Sequence, residues 1–239
     1  MGSGFSVSAL QVSDFAAHQS GTHLSRWTDS PLKRLFDLAG VLCALPLALP
    51  ILLVTAAAVR LTSRGPVLFR QQRVGRHQRS FIIYKFRTMP VPEAAARRPA
   101  LTTHLNQAFT PIGAFLRRSK LDELPQILNV FRGDMSLVGP RPKLPHLHAG
   151  DLGCRPGITG RATLVFAREE DVLSALPADR VDHYYRRVVG PLKQELDRDY
   201  MARATFASDF ALILRSMVRR FDDAAVRALL PSTALAETH

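Results

Sequence analysis

Between Asp37 and Arg60 the chain carries no charge: Leu38 through Val59 is an uninterrupted run of apolar and small residues. Crossing a bilayer core takes roughly 20 such residues. A buried helix in a soluble domain is usually shorter and shows a polar stripe along one side, so the run is read as membrane-inserted. Thr55-Ala56-Ala57-Ala58 offers the small residues of a cleavage site. The apolar stretch is nevertheless too long for a cleavable leader, and a long polar segment precedes it.

Two features bear on how the run is inserted. Pro46 and Pro50 lie near its middle, and each removes a backbone donor and crowds the preceding turn. The flanks are both positive, with Lys33 and Arg34 before the run and Arg60, Arg64, Arg70 and Arg73 after it. Positive charge favours the cytoplasmic side, and neither flank is clearly the weaker. A proline-kinked span accounts for the prolines alone. A helix that enters, breaks at Pro46 and Pro50 and returns to the same face accounts for both features, and is the expectation.

With 239 residues, 46% of them hydrophobic and 22% charged, the chain suits one sizeable domain or two small ones and excludes wholesale disorder. The formal charge of +12 points to polyanionic partners: nucleic acid, anionic lipid or a phosphorylated substrate. Cys43 and Cys154 stand apart and belong to no metal-binding or CxxC spacing, which excludes a disulfide scaffold.

The spacing predicts four segments: a leader at 1–29, rich in Gly, Ser, Thr and His and read as flexible, a membrane helix at 30–62, a main domain at 63–221 that carries the candidate chemistry and a tail at 222–239. Ser30-Pro31 supplies an N-cap and a first-turn proline for the membrane helix. Val67-Leu68-Phe69 and Ser80–Met89 are expected as strands around a turn at Gly75, with Tyr84 and Phe86 on one face and Lys85 and Arg87 on the other. Pro90–Ala100 is expected as a loop or lid. Ile112–Arg118 and Asp122–Arg132 are expected as helices, the second stopped by Gly133. Gly/Pro turns follow at Gly139–Pro142 and Arg155–Gly160. Glu169–Tyr200 suits solvated helices, and Phe206–Phe221 an amphipathic one able to lie in a membrane interface or pack on a core.

The segment richest in chemistry is Lys120-Leu121-Asp122-Glu123-Leu124-Pro125-Gln126. Pro125 cannot sit deep in a helix, so the helix starts near Asp122 and both carboxylates fall in its first turn. An ionised Asp122 could act as a nucleophile, with Glu123 handling a proton or orienting a partner. Asp and Glu at such a position are more often simple caps. Lys85, Arg87, Arg117, Arg118, Arg141 and Arg155 lie in strands, helix ends or Gly/Pro turns, where stiff backbone can preorganise a cation for phosphate. His146-Leu147-His148 lacks acidic or cysteine partners for zinc, and neither a Walker A motif nor GxGxxG is present.

Six blocks then occur in order: Lys33–Asp37, Gly65–Gln71, Tyr84–Met89, Leu121–Gln126, Gly133–Pro142 and Arg155–Gly160. Together they resemble the bacterial sugar transferases, the monotopic phosphoglycosyl transferases, over about residues 31–221. The resemblance implies an α/β membrane-associated monotopic domain, with a proline-broken re-entrant N-terminal helix, short strands and amphipathic interfacial helices. It implies an enzyme of the bacterial inner membrane, working at the cytoplasmic face. Such an enzyme transfers a sugar-1-phosphate from a UDP-sugar to undecaprenyl or another polyprenyl phosphate, releases UMP and initiates assembly of a surface glycan. By the same resemblance Asp122 is the nucleophile that forms a phosphosugar intermediate, Glu123 its dyad partner, and Mg2+ the cofactor, with Asp122 as a candidate metal ligand. Lys85, Arg87, Arg117, Arg141 and Arg155 fall on the family's basic positions and are expected at substrate phosphate. Pro50, with Pro46 as a second break, matches the membrane-helix proline.

Expected partners are therefore donor, lipid acceptor and membrane lipid, with a homodimer possible and no nucleic acid. Leu49 stands where the family commonly has Ser before that proline. Arg161-Ala162-Thr163-Leu164 replaces a frequent Trp-Ala-Gln-Val, which leaves the sugar open. A membrane-tethered basic binding or scaffold protein without catalysis is the competing reading; it accounts for the charge but not for Asp122-Glu123.

Overall fold

The computed structural model describes residues 24–90, 109–145, 151–167, 173 and 177–218. The expected lid at 90–100 lies, apart from Pro90, outside the described residues, as do His146-Leu147-His148, residues 1–23 of the leader and the tail.

Helix α1, Pro31–Thr62, begins as its sequence dictates: the Ser30 hydroxyl accepts from Lys33 N at 3.0 Å, and Pro31 occupies the first turn. The helix does not end at Pro46 or Pro50 but continues through both. Each proline removes one ladder bond, leaving the carbonyls of Leu42 and Pro46 without their helical donors. Among the described residues α1 is the one helix long and apolar enough to cross a membrane, and only 17% of its most apolar stretch is buried. Leu42, Leu47, Leu49, Leu53 and Val54 are exposed along its middle. A core helix of a soluble protein would bury them.

Both ends of α1 are fixed to the folded part. Near the start, Val41 joins Ile83, Val130 and Met135 in one buried cluster, and Arg34 donates to the carbonyls of Val130 and Phe131. Near the end, Val59 joins Phe86 and Leu116 in another.

Strands β1, Leu68–Val74, and β2, Ser80–Phe86, form an antiparallel hairpin with Phe69 opposite Lys85, Gln71 opposite Ile83 and Arg73 opposite Phe81. Opposed residues share a face, so Gln71, Arg73 and Lys85 lie on the same side. Helix α2 is Gly113–Ser119. The predicted Asp122–Arg132 helix is two pieces, a 3-10 helix at Leu121–Gln126 followed by α3, Ile127–Arg132. The tighter turn admits Pro125, and Gly133 (φ 90°) ends α3 as predicted.

Strands β3, Ser136–Val138, and β4, Gly157–Thr159, pair in parallel, the second within the expected Arg155–Gly160 turn. Close backbone approach explains why glycine is needed there: a Cβ on Gly157 would stand 2.1 Å from the nitrogen of Gly139. Helix α4, Arg161–Val165, follows. Helix α5, Ala178–Tyr184, a π-helical turn at Tyr185–Val189 and α6, Gly190–Arg203, form one continuous helical stretch. Helix α7, Phe206–Val218, exposes Phe206, Phe210, Leu214 and Met217.

The end of the expected flexible leader is not free. Ser25 N donates to Met201 O, the Ser25 hydroxyl to Ala204 O, and the Trp27 indole to Asp209. The Trp27 ring packs edge-on against Phe36 and Phe206. A large aromatic with a polar handle accounts for this docking.

Candidate active site

Lys120 adopts the left-handed conformation (φ 60°), closing α2 by donating its N–H to Arg117 O and opening the 3-10 helix. This sharp join presents Asp122 and Glu123 to β2. Glu123 Oε1 receives Lys85 Nζ at 2.6 Å and Arg141 at 2.8 Å. Burial alone would raise the Glu123 carboxyl, but Arg141 and Lys85 outweigh it and hold the group well below the usual carboxylate range. Burial draws the Lys85 ammonium down from its ordinary value, an effect that Glu123 opposes.

Asp122 is a different kind of group. It is 7% exposed, and its Oδ1 accepts no hydrogen bond among the described residues. Burial, against the pull of Lys85, pushes its carboxyl up to about 6, with the neighbouring Glu123 charge adding to the rise and Lys120 and Arg117 opposing it. Two adjacent desolvated carboxylates are thus in opposite states: one is engaged by two cations that offset its burial, the other has an unsatisfied oxygen. Divergent environments of this kind separate chemical roles.

Of the predicted phosphate residues, Lys85, Arg141 and Arg117 are brought to the dyad. Arg87 and Arg155 are not. The Arg87 guanidinium is buried beneath the end of α1, donating to Ser63 O, Ser63 Oγ and Arg64 O at 2.6–2.8 Å. It closes a helix whose last carbonyls have no partner within the helix. Arg155 Nε donates to Gly133 O at 2.9 Å, beside Arg34. These two cations meet the C-terminal carbonyls of α3, the far end of the segment that starts with the dyad. Pro46 and Pro50 lie within α1.

Two contributors were not picked out from sequence. Lys120 acts on both carboxylates. Arg73, on β1, lies near Arg141 and Glu123. The available signal was period two: alternation along the hairpin puts Arg73 on the face of Lys85. Arg161, the departure in the Arg161–Leu164 block, pairs with Asp199, which Arg203 also contacts at 3.1 Å, so it ties α4 to α6.

No group of three or more His, Cys, Asp or Glu side chains gathers among the described residues. Mg2+ does not need one, since it takes one or two carboxylates and fills its shell with water and substrate phosphate. The unsatisfied Oδ1 of Asp122 fits that requirement.

The chain is similar to several known proteins. It is 39% identical over 210 residues to the undecaprenyl-phosphate glucose phosphotransferase of Komagataeibacter xylinus, covering 82% of this chain and 37% of that protein. It is 40% identical over 149 residues to the exopolysaccharide production protein PSS of Rhizobium leguminosarum bv. phaseoli, covering 57% of this chain and 74% of that one. A third, the UDP-N-acetylgalactosamine-undecaprenyl-phosphate N-acetylgalactosaminephosphotransferase of Aeromonas hydrophila, is 36% identical over 187 residues, with 74% of this chain and 44% of the relative covered. The chain thus spans less than half the length of the first and third. The family pattern described as bacterial sugar transferase matches residues 28–223, a match that includes the dyad, its cations and α1, and the chain belongs to that family.

Proposed function

We propose that this chain is a phosphoglycosyl transferase that moves a sugar-1-phosphate from a UDP-sugar to a polyprenyl phosphate and releases UMP. The observation that carries the reading is the contrast within the dyad: Asp122 buried with an unsatisfied oxygen, Glu123 locked between Lys85 and Arg141. The three named relatives include two that act on undecaprenyl phosphate, one with glucose and one with N-acetylgalactosamine.

In the first step an Asp122 oxygen attacks the sugar-bearing phosphorus of the donor. The bond from that phosphorus to the bridging oxygen breaks, and UMP leaves with the electron pair. In the second, a phosphate oxygen of the polyprenyl acceptor attacks the same phosphorus and Asp122 departs as carboxylate. Asp122 is ionised for this above about pH 6. Glu123, held deprotonated, serves as the anion that orients Lys85 and Arg141 towards the reacting phosphate rather than as a proton donor. Asp122 would hold Mg2+ through its unsatisfied Oδ1, and the ion would supply positive charge to offset that of the donor's diphosphate.

The acceptor is a lipid, and the structure supports a site held at one membrane face. Val41 and Val59 would stand about 27 Å apart on a straight helix. Their cluster partners Ile83 and Phe86 are only about 10 Å apart along β2. A bend at Pro46 and Pro50 reconciles the two lengths and favours a helix that enters and leaves by the same face. The exposed apolar side of α7 and the Trp27, Phe36 and Phe206 rings at the base of α1 suit the interfacial zone. Arg26, Arg34, Arg60 and Arg64 flank the insertion on both sides, which fits the cytoplasmic face of the inner membrane.

The test is a reaction of the protein in detergent with undecaprenyl phosphate, Mg2+ and a panel of UDP-sugars, including UDP-glucose and UDP-N-acetylgalactosamine. UMP release, with sugar label transiently bound to Asp122 when acceptor is withheld, is the expected result. Failure to release UMP from any donor would leave the binding or scaffold reading.

A further inference from the structure

Arg141 stands in the turn Gly139–Pro142, and both sides of that turn are fastened. On the β4 side, Gly139 N donates to Thr159 O at 3.0 Å and Gly157 N to Pro140 O at 2.9 Å. On the β1 side, two consecutive residues hold two consecutive carbonyls: Arg73 donates to Pro142 O at 3.3 Å and Val74 N to Lys143 O at 3.0 Å. The other terminal nitrogen of Arg73 donates to Gln71 Oε1 at 2.6 Å. The side chain is thereby fixed at two points, on its own strand and on the turn.

An arginine is an unfavourable choice for such a brace if bracing were all it did. Burial, with Arg141 nearby, draws its guanidinium down to about 10, and Glu123 and Tyr185 only partly oppose this. Its Nε is buried without a partner among the described residues. A buried donor left unsatisfied is destabilising, and local violations of this kind concentrate at functional sites. What the charge supplies is positive potential beside Glu123 and Arg141, where a diphosphate must be received.

We propose that Arg73 is a positioning residue for phosphoryl transfer: through the Pro142 carbonyl it holds the turn that keeps Arg141 on Glu123, beside Asp122. The inference rests on the transferase reading above, and deepens it by naming a residue that acts through another. Lysine cannot replace it, because one ammonium on a flexible stem does not bridge Gln71 Oε1 and Pro142 O as a planar fork does.

The experiment is a double-mutant cycle between Arg73→Lys and Arg141→Ala, read by UMP release in detergent. Alone, Arg73→Lys should lower kcat/KM about tenfold, mainly through kcat, with little change in Tm. In the Arg141→Ala background the same change should cost little more. Gln71→Ala, which removes one anchor of Arg73 and leaves its charge, should show a smaller loss that is likewise absent without Arg141. Full additivity of the Arg73 and Arg141 losses, or wild-type kcat in Arg73→Lys, would overturn the proposal. A reduction that follows a large fall in Tm for both Arg73→Lys and Gln71→Ala would also overturn it, reducing Arg73 to a structural brace. Binding of UDP is measured in parallel by calorimetry. If wild type binds UDP but releases no UMP, the transferase reading fails; coupling between Arg73 and Arg141 in UDP affinity would still report the positioning contact.

Discussion

At the scale of single residues, the dyad shows that adjacency in sequence need not mean similarity in chemistry. Both carboxylates are desolvated, but Glu123 has two paired cations to offset it and Asp122 keeps an unsatisfied oxygen. The burial of Asp122 on which the proposed attack draws should also make the group destabilising. Its carboxyl is near 6 in the folded protein against an ordinary 3.8, so the folded state binds more protons than the unfolded one between those values. Stability attributable to this group therefore falls as pH rises from about 4 to about 6, and above that the full penalty of a buried charge is present. Asp122→Asn should then raise stability at pH 7 by about 1–3 kcal/mol while turnover falls by orders of magnitude. The gain should be mostly lost by about pH 4, where the folded carboxyl is neutral and the unfolded one about half protonated, and it should vanish about one pH unit lower. Thermal unfolding in detergent at pH 4 and pH 7 measures it; a variant less stable than wild type at pH 7 would mean that Asp122 is a cap rather than a strained nucleophile.

Elements carry the cations to different places, and this is where the sequence was least legible. Lys85 and Arg87 share strand parity, yet Lys85 reaches Glu123 and Arg87 turns under the end of α1. No local pattern contains that information, because β2 ends at Phe86 and the acceptors for Arg87 are supplied by Ser63 and Arg64. Replacing Arg87 by Lys should lower stability by about 1–3 kcal/mol through lost carbonyl partners, with UDP affinity unchanged by calorimetry. A loss of affinity at unchanged Tm would return Arg87 to the donor site. What was legible rests on local chemistry: the Ser30-Pro31 start of α1, the Gly133 stop of α3 and the hairpin around Gly75. The β3–β4 pair was not, since two three-residue strands joined through Gly/Pro-rich chain carry no period. The path of α1 is open to a direct check. Arg26→Cys and Arg64→Cys, separately in a Cys43→Ala background, use exposed side chains that leave the Ser30 cap and the Arg87 bonds intact. Both should react with an impermeant thiol reagent in inside-out vesicles and neither in right-side-out ones. Labelling from opposite sides would establish a simple span.

For the whole molecule, the long apolar helix α1 and the folded part are joined by a buried polar knot rather than by apolar packing alone. Lys33 Nζ lies 3.0 Å from Asp37 on its own helix and 2.7 Å from Asp209 on α7. Asp37 also accepts from the Ser136 hydroxyl and Leu137 N, which brings in β3, and Asp209 accepts from the Trp27 indole and the Tyr200 hydroxyl. One cation thus serves two carboxylates from different elements, all of them almost wholly buried. Removing one member of such a set leaves an uncompensated charge, which is worse than removing matched charges together. Lys33→Met should therefore lower stability by about 3–5 kcal/mol. Adding Asp209→Asn should restore part of it, with a coupling of about 0.5–3 kcal/mol, because the amide still accepts from Trp27 while the second charge is gone. Asp37 retains its Ser136 and Leu137 donors in either variant. The damage should also be local: hydrogen exchange in detergent should accelerate along α7 and the first turns of α1, while the β1–β2 hairpin keeps its protection. Uniform loss of protection, or a double variant as unstable as the sum of the singles, would show that Lys33 is only one contact among many and that α7 is held to α1 by its aromatic rings.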